Sequence, residues 1–168
     1  MRSERIDFLA VVTAGAGLVG FLGVFADWFS VSYVASGVQI VLDFYGTVDG
    51  TGAIAAAAGL GALAFGCAYM LLRDPDIRRI TALLMVISGI LLLVMSTIGF
   101  TRVEEAIGGP DPLLPGVEGS TTFVATYAVG LPISFVAGLL ATVASVLLVA
   151  RREVGAEDAA DVPVTASA

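Results

Sequence analysis

The stretch Ile80-Thr-Ala-Leu-Leu-Met-Val-Ile-Ser-Gly-Ile-Leu-Leu-Leu-Val-Met-Ser-Thr-Ile-Gly-Phe100 decides the fold class of this chain. Its 21 residues include no Asp, Glu, Lys or Arg. A helix needs about 20 apolar residues to cross a hydrocarbon core of roughly 30 Å. A strand of a membrane barrel would instead alternate apolar and polar side chains, and this stretch does not. It therefore predicts a transmembrane helix.

Three further uncharged stretches have the same character: Phe8–Ala26, Ala53–Leu72 and Phe123–Ala150. The last has 28 residues, so it is expected to tilt, to kink or to begin outside the hydrocarbon core. The chain as a whole is 58% hydrophobic and 14% charged, which is more apolar than a soluble domain. The sequence predicts an all-α membrane protein with a bundle of four transmembrane helices, covering residues 1–152.

Arginine sets the expected orientation, because the chain contains no lysine. Four crossings place the N-terminus, the loop between the second and third helices and the C-terminal tail on one side. Cytoplasmic loops are enriched in basic residues, so we predict a multi-pass protein of the cell membrane with both termini in the cytoplasm. Seven of the eight arginines lie on that side: Arg2, Arg5, Arg73, Arg78, Arg79, Arg151 and Arg152.

A cleaved signal peptide is the alternative for the first stretch. Arg2 and Arg5 precede an apolar run that ends in Val24-Phe-Ala26, a small-residue pattern typical of a cleavage site. The run is longer than the usual apolar region of about 7–15 residues, and it is rich in glycine. We therefore favour a retained first helix.

The first outer segment, residues 27–52, is predicted to contain a β-hairpin. Trp28–Val34 and Val38–Tyr45 are rich in β-branched and aromatic residues, and Ala35-Ser-Gly37 between them has the composition of a turn. The aromatic residues of this segment and two leucines of the second outer segment form a candidate partner surface. Its members are Trp28, Phe29, Tyr33, Phe44, Tyr45, Leu113 and Leu114.

The second outer segment, residues 101–122, is predicted to be an irregular loop, because Gly108–Gly116 is dense in glycine and proline. Val117–Thr122 is a candidate short strand. The acidic, alanine-rich tail from Glu153 to Ala168 is predicted to be disordered. In the tight turn before the third helix, Pro75 is expected to end one helix and Asp76 to cap the next.

Small residues recur at intervals of four in the first, second and fourth stretches. Such spacing lets helix backbones approach closely within a membrane. Contacts within one bundle are favoured over contacts between subunits, since the second and fourth series can serve one core. The predicted packing residues are Ala16, Gly20, Ala58, Ala62, Gly66, Gly130, Ser134 and Gly138. Pro132 removes a backbone donor inside the fourth stretch and is predicted to kink it near Gly130.

The usual materials of catalysis are missing. The chain has no histidine, its one thiol (Cys67) lies within a span, and no span contains an ionisable pair. Gly15-Ala-Gly-Leu-Val-Gly20 matches a dinucleotide motif by letter, but the middle of an apolar helix offers no place for a diphosphate. We therefore expect no enzyme activity, cofactor or metal. The net charge of −7, concentrated in the outer segments, disfavours nucleic acid.

A first helix ending in Asp27-Trp28, a β-prone loop, then Thr47-Val-Asp-Gly-Thr-Gly52 leading into Gly59-Leu-Gly-Ala-Leu-Ala-Phe-Gly66 resembles a broad set of small four-helix prokaryotic membrane proteins. The resemblance covers about the first 75 residues and implies a fold rather than an activity. The layout also resembles that of claudins, but the first outer segment lacks their cysteine pair.

These features favour a non-catalytic membrane protein that presents its acidic outer loops to a partner, as a structural component of a cell-envelope or membrane assembly. The partner is expected to be another protein or a second copy of the chain, in addition to the lipid bilayer. The alternative is a subunit of a transporter or channel. Binding of a cation by the outer carboxylates stays open.

Overall fold

The computed structural model describes residues 7–35, 38–46, 50–108 and 124–160. Within these residues the chain forms four helices and three strands. In chain order they are α1 (Phe8–Val24), β1 (Asp27–Ala35), β2 (Val38–Tyr45), α2 (Gly50–Leu71), α3 (Pro75–Gly108), β3 (Val124–Tyr127) and α4 (Gly130–Ala160). The predicted helical bundle and the predicted hairpin are both confirmed.

The four helices form an antiparallel bundle in which α1 packs against α2 and α4, and α3 packs against the same two helices. Leu9, Tyr69, Ala82 and Leu148 contribute one residue from each helix to a single buried cluster. This cluster marks the end of the bundle where residues 72–74 connect α2 to α3, which we call the loop end. The strands lie at the opposite end, which we call the sheet end.

Three helical segments are long and apolar enough to cross a membrane by length and composition: Gly50–Leu71, Pro75–Arg102 and Gly130–Arg151. The fourth apolar helix, α1, has 17 residues and is shorter than a typical span. It ends at Val24, two residues before the predicted end of the first stretch, because Ala26 leads directly into β1 at Asp27.

The three strands form one antiparallel sheet in the order β2-β1-β3. The pairing of β1 with β2 shifts by one residue between Asp27 and Phe29, so that Trp28 is the extra residue of a bulge. Ala35, the first residue of the predicted turn Ala35–Gly37, is the last residue of β1; residues 36–37 and the predicted strand at 117–122 lie outside the described residues.

The start of the fourth predicted span is wrong. Val124–Tyr127 forms β3 and pairs with β1, and the helix begins only at Gly130. Lack of charge does not distinguish a buried strand from a helix, whereas the β-branched and aromatic side chains Val124, Thr126 and Tyr127 favour a strand. The excess length of this stretch therefore comes from a strand that precedes the helix.

Two helices continue beyond the predicted ends of their spans. α3 runs through the first part of the predicted irregular loop to Gly108, and α4 runs through the first part of the predicted disordered tail to Ala160. A change from apolar to charged residues does not end a helix, because Glu, Arg and Ala are good helix formers. α3 ends where Gly108-Gly-Pro110 begins, a combination that does break helices.

The connection between α2 and α3 differs from its prediction at two residues, Pro75 and Asp76. Asp74, rather than Asp76, caps α3: its Oδ1 accepts hydrogen bonds from the backbone N–H groups of Asp76 (2.9 Å) and Ile77 (3.2 Å). Pro75 is the first residue of α3, a position whose backbone N–H would have no hydrogen-bond partner within the helix, so its absence from proline costs nothing. α2 already ends at Leu71.

Candidate functional site

The predicted packing residues all lie buried between the helices. A methyl group on Gly66 would lie 2.8 Å from the Ala14 side chain of α1, and one on Gly138 would lie 2.7 Å from the Leu93 backbone nitrogen of α3. The complete set is buried within the one chain: Ala16, Gly20, Ala58, Ala62, Gly66, Gly130, Ser134 and Gly138. These residues bring the helices of a single bundle together.

The glycines of the Gly15–Gly20 motif also lie against helices or open surface. A methyl group on Gly17 would lie 2.5 Å from the backbone nitrogen of Leu63, and one on Gly20 would meet the Leu92 side chain. Gly15 has open space in front of it. The motif therefore provides close contacts of α1 with α2 and α3.

Buried hydroxyl groups donate to backbone carbonyls. Thr13 Oγ1 donates to the Leu9 carbonyl (2.9 Å) and Ser96 Oγ donates to the Leu92 carbonyl (2.9 Å), each within its own helix. Ser134 Oγ instead donates to the Gly20 carbonyl of α1 at 3.4 Å. Each hydroxyl thereby satisfies its own hydrogen-bonding need, which is the usual structural role of such groups in membrane helices.

Pro132 does not kink a helix. It is the third residue of α4, and the first turn of a helix has no preceding turn with which the proline ring could clash. The predicted kink near Gly130 is wrong because Gly130 is where the helix begins. Gly130 instead permits close approach, since a methyl group there would lie 2.6–2.8 Å from the carbonyl oxygens of Gly23, Ala26 and Asp27.

Trp28 joins the sheet to the bundle. Its side chain is 3% exposed, and its Nε1 donates a hydrogen bond to the Gly23 carbonyl at the end of α1 (3.2 Å). The ring lies against Gly46 and Gly99, where added methyl groups would collide with it. Trp28 was predicted as part of a partner surface, and this prediction is wrong because the bulge directs the side chain into the core.

The register of the sheet separates its two faces. Phe29 lies opposite Phe44 of β2 on one side and opposite Tyr127 of β3 on the other. The rings of Phe29 and Phe44 are stacked, with 4.6 Å between their centroids. This row faces the helices, since Phe100 of α3 contacts Tyr127 (5.3 Å between centroids) and Phe29 packs on the buried cluster around Trp28. Phe29 and Phe44, two members of the predicted partner surface, are therefore half-buried on the side of the sheet that packs against the helices.

The next row of the sheet points away from the helices, because neighbouring residues of a strand face opposite sides. It contains Ser30, Asp43 and Thr126, and the Ser30 hydroxyl donates to Asp43 Oδ1 (2.7 Å). Val41, 54% exposed, lies on the same face two residues from Asp43. We call this the outward face of the sheet.

β2 is an edge strand of the described sheet. Its eight residues include no proline and no lysine, two residues that commonly protect edges from pairing with another chain, and Asp43 is its one charged residue. Val38 at its start is 62% exposed, and Tyr45 at its end is 51% exposed. Of the predicted partner surface, Tyr45 is thus exposed; the side chain of Tyr33 and the residues Leu113 and Leu114 lie outside what the structure describes.

An apolar groove runs between α1 and α4 and has a volume of about 540 Å³. Its walls include Val12, Val19 and Leu140, together with the exposed Gly15. The groove continues the apolar side chains that cover the outside of the bundle.

The loop end carries a feature that the sequence did not indicate. The Arg78 guanidinium lies over the ring of Tyr69, with its central carbon 4.3 Å from the ring centroid. Tyr69 is 1% exposed and belongs to the buried cluster of this end. Arg78 is half-buried, and its Nε is buried without a hydrogen-bond partner. Arg73, Arg79 and Arg151 are exposed at the same end.

Few groups in the described ranges have the chemistry of a catalytic or metal site. Within 7–35, 38–46, 50–108 and 124–160, no group of three or more His, Cys, Asp or Glu residues could hold a metal ion. Cys67 is exposed on α2 and unpaired. One carboxylate oxygen of Asp27 is buried without a hydrogen-bond partner at the junction of α1 and β1.

Comparisons with known proteins add no family: no family model matches the chain, and neither does any curated protein.

Proposed function

We propose that this chain is an integral membrane protein that crosses a bilayer four times and presents the outward face of its sheet to another protein, without catalysing a reaction. The observation that supports the membrane assignment is the reversed distribution of side-chain size. Small residues such as Ala10, Ala62 and Ser145 fill the interior, whereas large apolar residues such as Ile87 and Leu140 cover the outside. A bundle in water would need polar side chains on that outside.

α1 is proposed as the fourth crossing although it is short. Its 17 residues span about 25 Å at a rise of 1.5 Å per residue. A helix a few ångströms short of the hydrocarbon thickness is accommodated by local thinning of the bilayer at modest cost. α1 also packs along both α2 and α4, so it shares the depth of two full-length spans.

The loop end is proposed to face the cytoplasm, because Arg73, Arg78, Arg79 and Arg151 lie there, whereas Arg102 follows α3 towards the sheet end. The two chain termini would then share the cytoplasmic side.

This topology is tested by cysteine labelling in a Cys67→Ala background. A cysteine replacing Val38 should react with a membrane-impermeant maleimide in intact cells. A cysteine replacing Arg79 should react only after permeabilisation. Labelling of both positions in intact cells, or the opposite order, would contradict the proposed orientation.

The partner-binding proposal is supported by the outward face and by the edge of β2. A face that carries Ser30, Asp43 and Thr126 is too polar to lie on hydrocarbon, yet it also carries the exposed Val41. A mixture of polar and apolar groups is the usual composition of a protein interface. The edge of β2 offers backbone groups on which a partner strand can pair.

The interior favours this proposal over transport. The described core contains alanine, glycine, backbone-bonded hydroxyls and uncharged larger side chains such as Met85 and Leu92, whereas ion and substrate paths depend on intramembrane ionisable residues. The proposal therefore places recognition at the sheet end, outside the membrane.

Photo-crosslinking in cells that express the full chain tests the partner. A photoreactive amino acid replaces Val41 or Tyr45, and the matched control replaces Ile87, which is equally exposed but lies on the lipid-facing side of α3. We expect discrete protein adducts from Val41 and Tyr45 and none from Ile87. If all three positions gave the same pattern, the sheet would not be the recognition surface.

A further inference from the structure

We propose that Arg78 and Tyr69 form a binding site for the phosphate of an anionic phospholipid at the loop end of the bundle. The site rests on the proposed membrane topology, which places this end at the cytoplasmic leaflet. The ligand class follows from four observations on Arg78: its partial burial, its lack of a carboxylate partner among the described side chains, its contact with the Tyr69 ring and its position on α3.

Burial is the first observation. Arg78 is half-buried, and its Nε is shielded from solvent without a hydrogen-bond partner among the described residues. Desolvation of a charge costs free energy unless an opposite charge or a hydrogen bond compensates for it. Contact with the Tyr69 ring supplies part of that compensation, but it does not neutralise the charge.

The nearby carboxylates do not serve as the counterion. Asp74, the closest acid in the chain before α3, uses its Oδ1 to cap the helix. In the described part of the chain, Arg78 forms no ion pair with Asp74, Asp76 or Asp7. Among the described side chains, none therefore supplies a counterion to Arg78, and we assign that role to a bound anion.

The contact with Tyr69 favours the binding of a phosphate. With its central carbon 4.3 Å from the centroid of the buried Tyr69 ring, the Arg78 head group is restricted in its motion, so less conformational entropy is lost when it binds an anion. Arginine frequently binds phosphate through two parallel N–H···O bonds. An oxyanion is therefore a suitable ligand for this guanidinium.

Position selects the source of the phosphate. Arg78 stands in the early turns of α3, where the helix dipole disfavours a cation, so an adjacent anion gives more stabilisation there than at other places. Anionic headgroups are concentrated at the cytoplasmic leaflet, and basic pockets between membrane helices on that side bind them. Arg73 and Arg79, exposed beside the site, add long-range attraction.

Native mass spectrometry of the full chain in mild detergent tests the site, with phosphatidylglycerol as the probe and phosphatidylcholine as the neutral comparison. We expect selective retention of phosphatidylglycerol by the wild-type chain. Arg78→Gln should weaken that retention about tenfold, since a charge-assisted hydrogen bond is lost. Arg79→Gln, which removes the same charge from an exposed neighbour, should change it less than about threefold.

Two further arms make the outcome decisive. Arg78→Lys keeps the charge and loses the planar fork; retention between those of wild type and Arg78→Gln supports the site, and it covers the case in which Arg78→Gln fails to fold. Competition by millimolar inorganic phosphate distinguishes a lipid from a free anion. Equal loss in Arg78→Gln and Arg79→Gln, or full displacement by inorganic phosphate, would overturn the proposal without affecting the cysteine-labelling test of topology.

Discussion

The middle of the bundle and its sheet end are packed in opposite ways. In the middle, helices meet through glycine, so that backbone touches backbone: a methyl group on Gly17 would lie 2.5 Å from the Leu63 nitrogen. At the sheet end, the large ring of Trp28 fills the space between Gly46 and Gly99. The glycine contacts between helices in the first region leave no space for an added atom, and the second region depends on one side chain. The comparison predicts that the two regions respond to opposite kinds of substitution.

Trp28→Ala is expected to have the largest effect, a loss of about 3–5 kcal/mol in the free energy of unfolding. The substitution empties the space between the sheet and the bundle and removes the hydrogen bond to the Gly23 carbonyl. Unfolding by increasing SDS in mixed micelles, followed by far-UV circular dichroism, measures it without relying on tryptophan fluorescence. Tyr45→Ala, an exposed aromatic residue of the same sheet, should cost less than about 0.5 kcal/mol. Equal losses for both variants would break the comparison.

Gly17→Ala is the opposite kind of change, because it adds a methyl group in the middle of the bundle instead of removing a side chain. It should cost about 1–3 kcal/mol by overpacking, since the neighbours of the new methyl group are backbone atoms of Gly59 and Leu63. The matched control is Gly15→Ala on the same helix, where nothing lies within 4 Å. That variant should stay within about 1 kcal/mol of wild type and tend towards higher stability. The same unfolding assay decides, and the prediction fails if Gly15→Ala is the more harmful change.

Asp74→Ala extends the comparison to the loop end, where a polar cap rather than packing begins α3. Loss of two hydrogen bonds to backbone N–H groups should cost about 1 kcal/mol. Asp76→Ala removes a carboxylate from the same turn without removing a cap, so a change of about 0.3 kcal/mol is expected. Thermal unfolding of both variants in one detergent would show the difference, and a larger effect of Asp76→Ala would restore the capping role predicted from sequence.

Ser134→Ala should have the smallest effect, about 0.6 kcal/mol, which is typical of a hydrogen bond between membrane helices. Its hydroxyl donates to the Gly20 carbonyl of α1. Ser145→Ala is the control, because that hydroxyl donates only to the carbonyls of Ala141 and Thr142 in its own helix. A cost for Ser145→Ala greater than that for Ser134→Ala would mean that the hydrogen bond between helices contributes no stability.

Sequence patterns were sufficient for the elements whose signal is local. Apolar composition predicted the four helices, and β-branched and aromatic content predicted β1 and β2. The pattern failed at Val124–Val129, where apolar composition is compatible with a strand or a helix and only pairing with β1 decides between them. It also failed at Glu153–Ala160 and at Thr101–Gly108, where helices extend beyond their apolar parts.

The candidate sites were less predictable than the fold. Trp28 and Phe29 are adjacent aromatic residues of the same strand. Nothing in the local sequence indicates that Trp28 is buried in the core whereas Phe29 packs between the sheet and the helices. The bulge that separates their roles is a property of the pairing between β1 and β2. Likewise, Arg78 and Arg79 are adjacent residues of the same type. Only the packing of Tyr69 against Arg78 makes Arg78, and not Arg79, part of a candidate site.

The sequence by itself determined that apolar helices of spanning length form, that small residues occur at the spacing of close helix contacts, and that basic residues concentrate at one end. These properties depend on composition and short-range periodicity. Only the tertiary structure decided which aromatic side chains are buried, where the fourth helix begins and which arginine is held in place. Those outcomes depend on contacts between residues far apart in the chain, such as Gly20 with Ser134 and Phe29 with Tyr127.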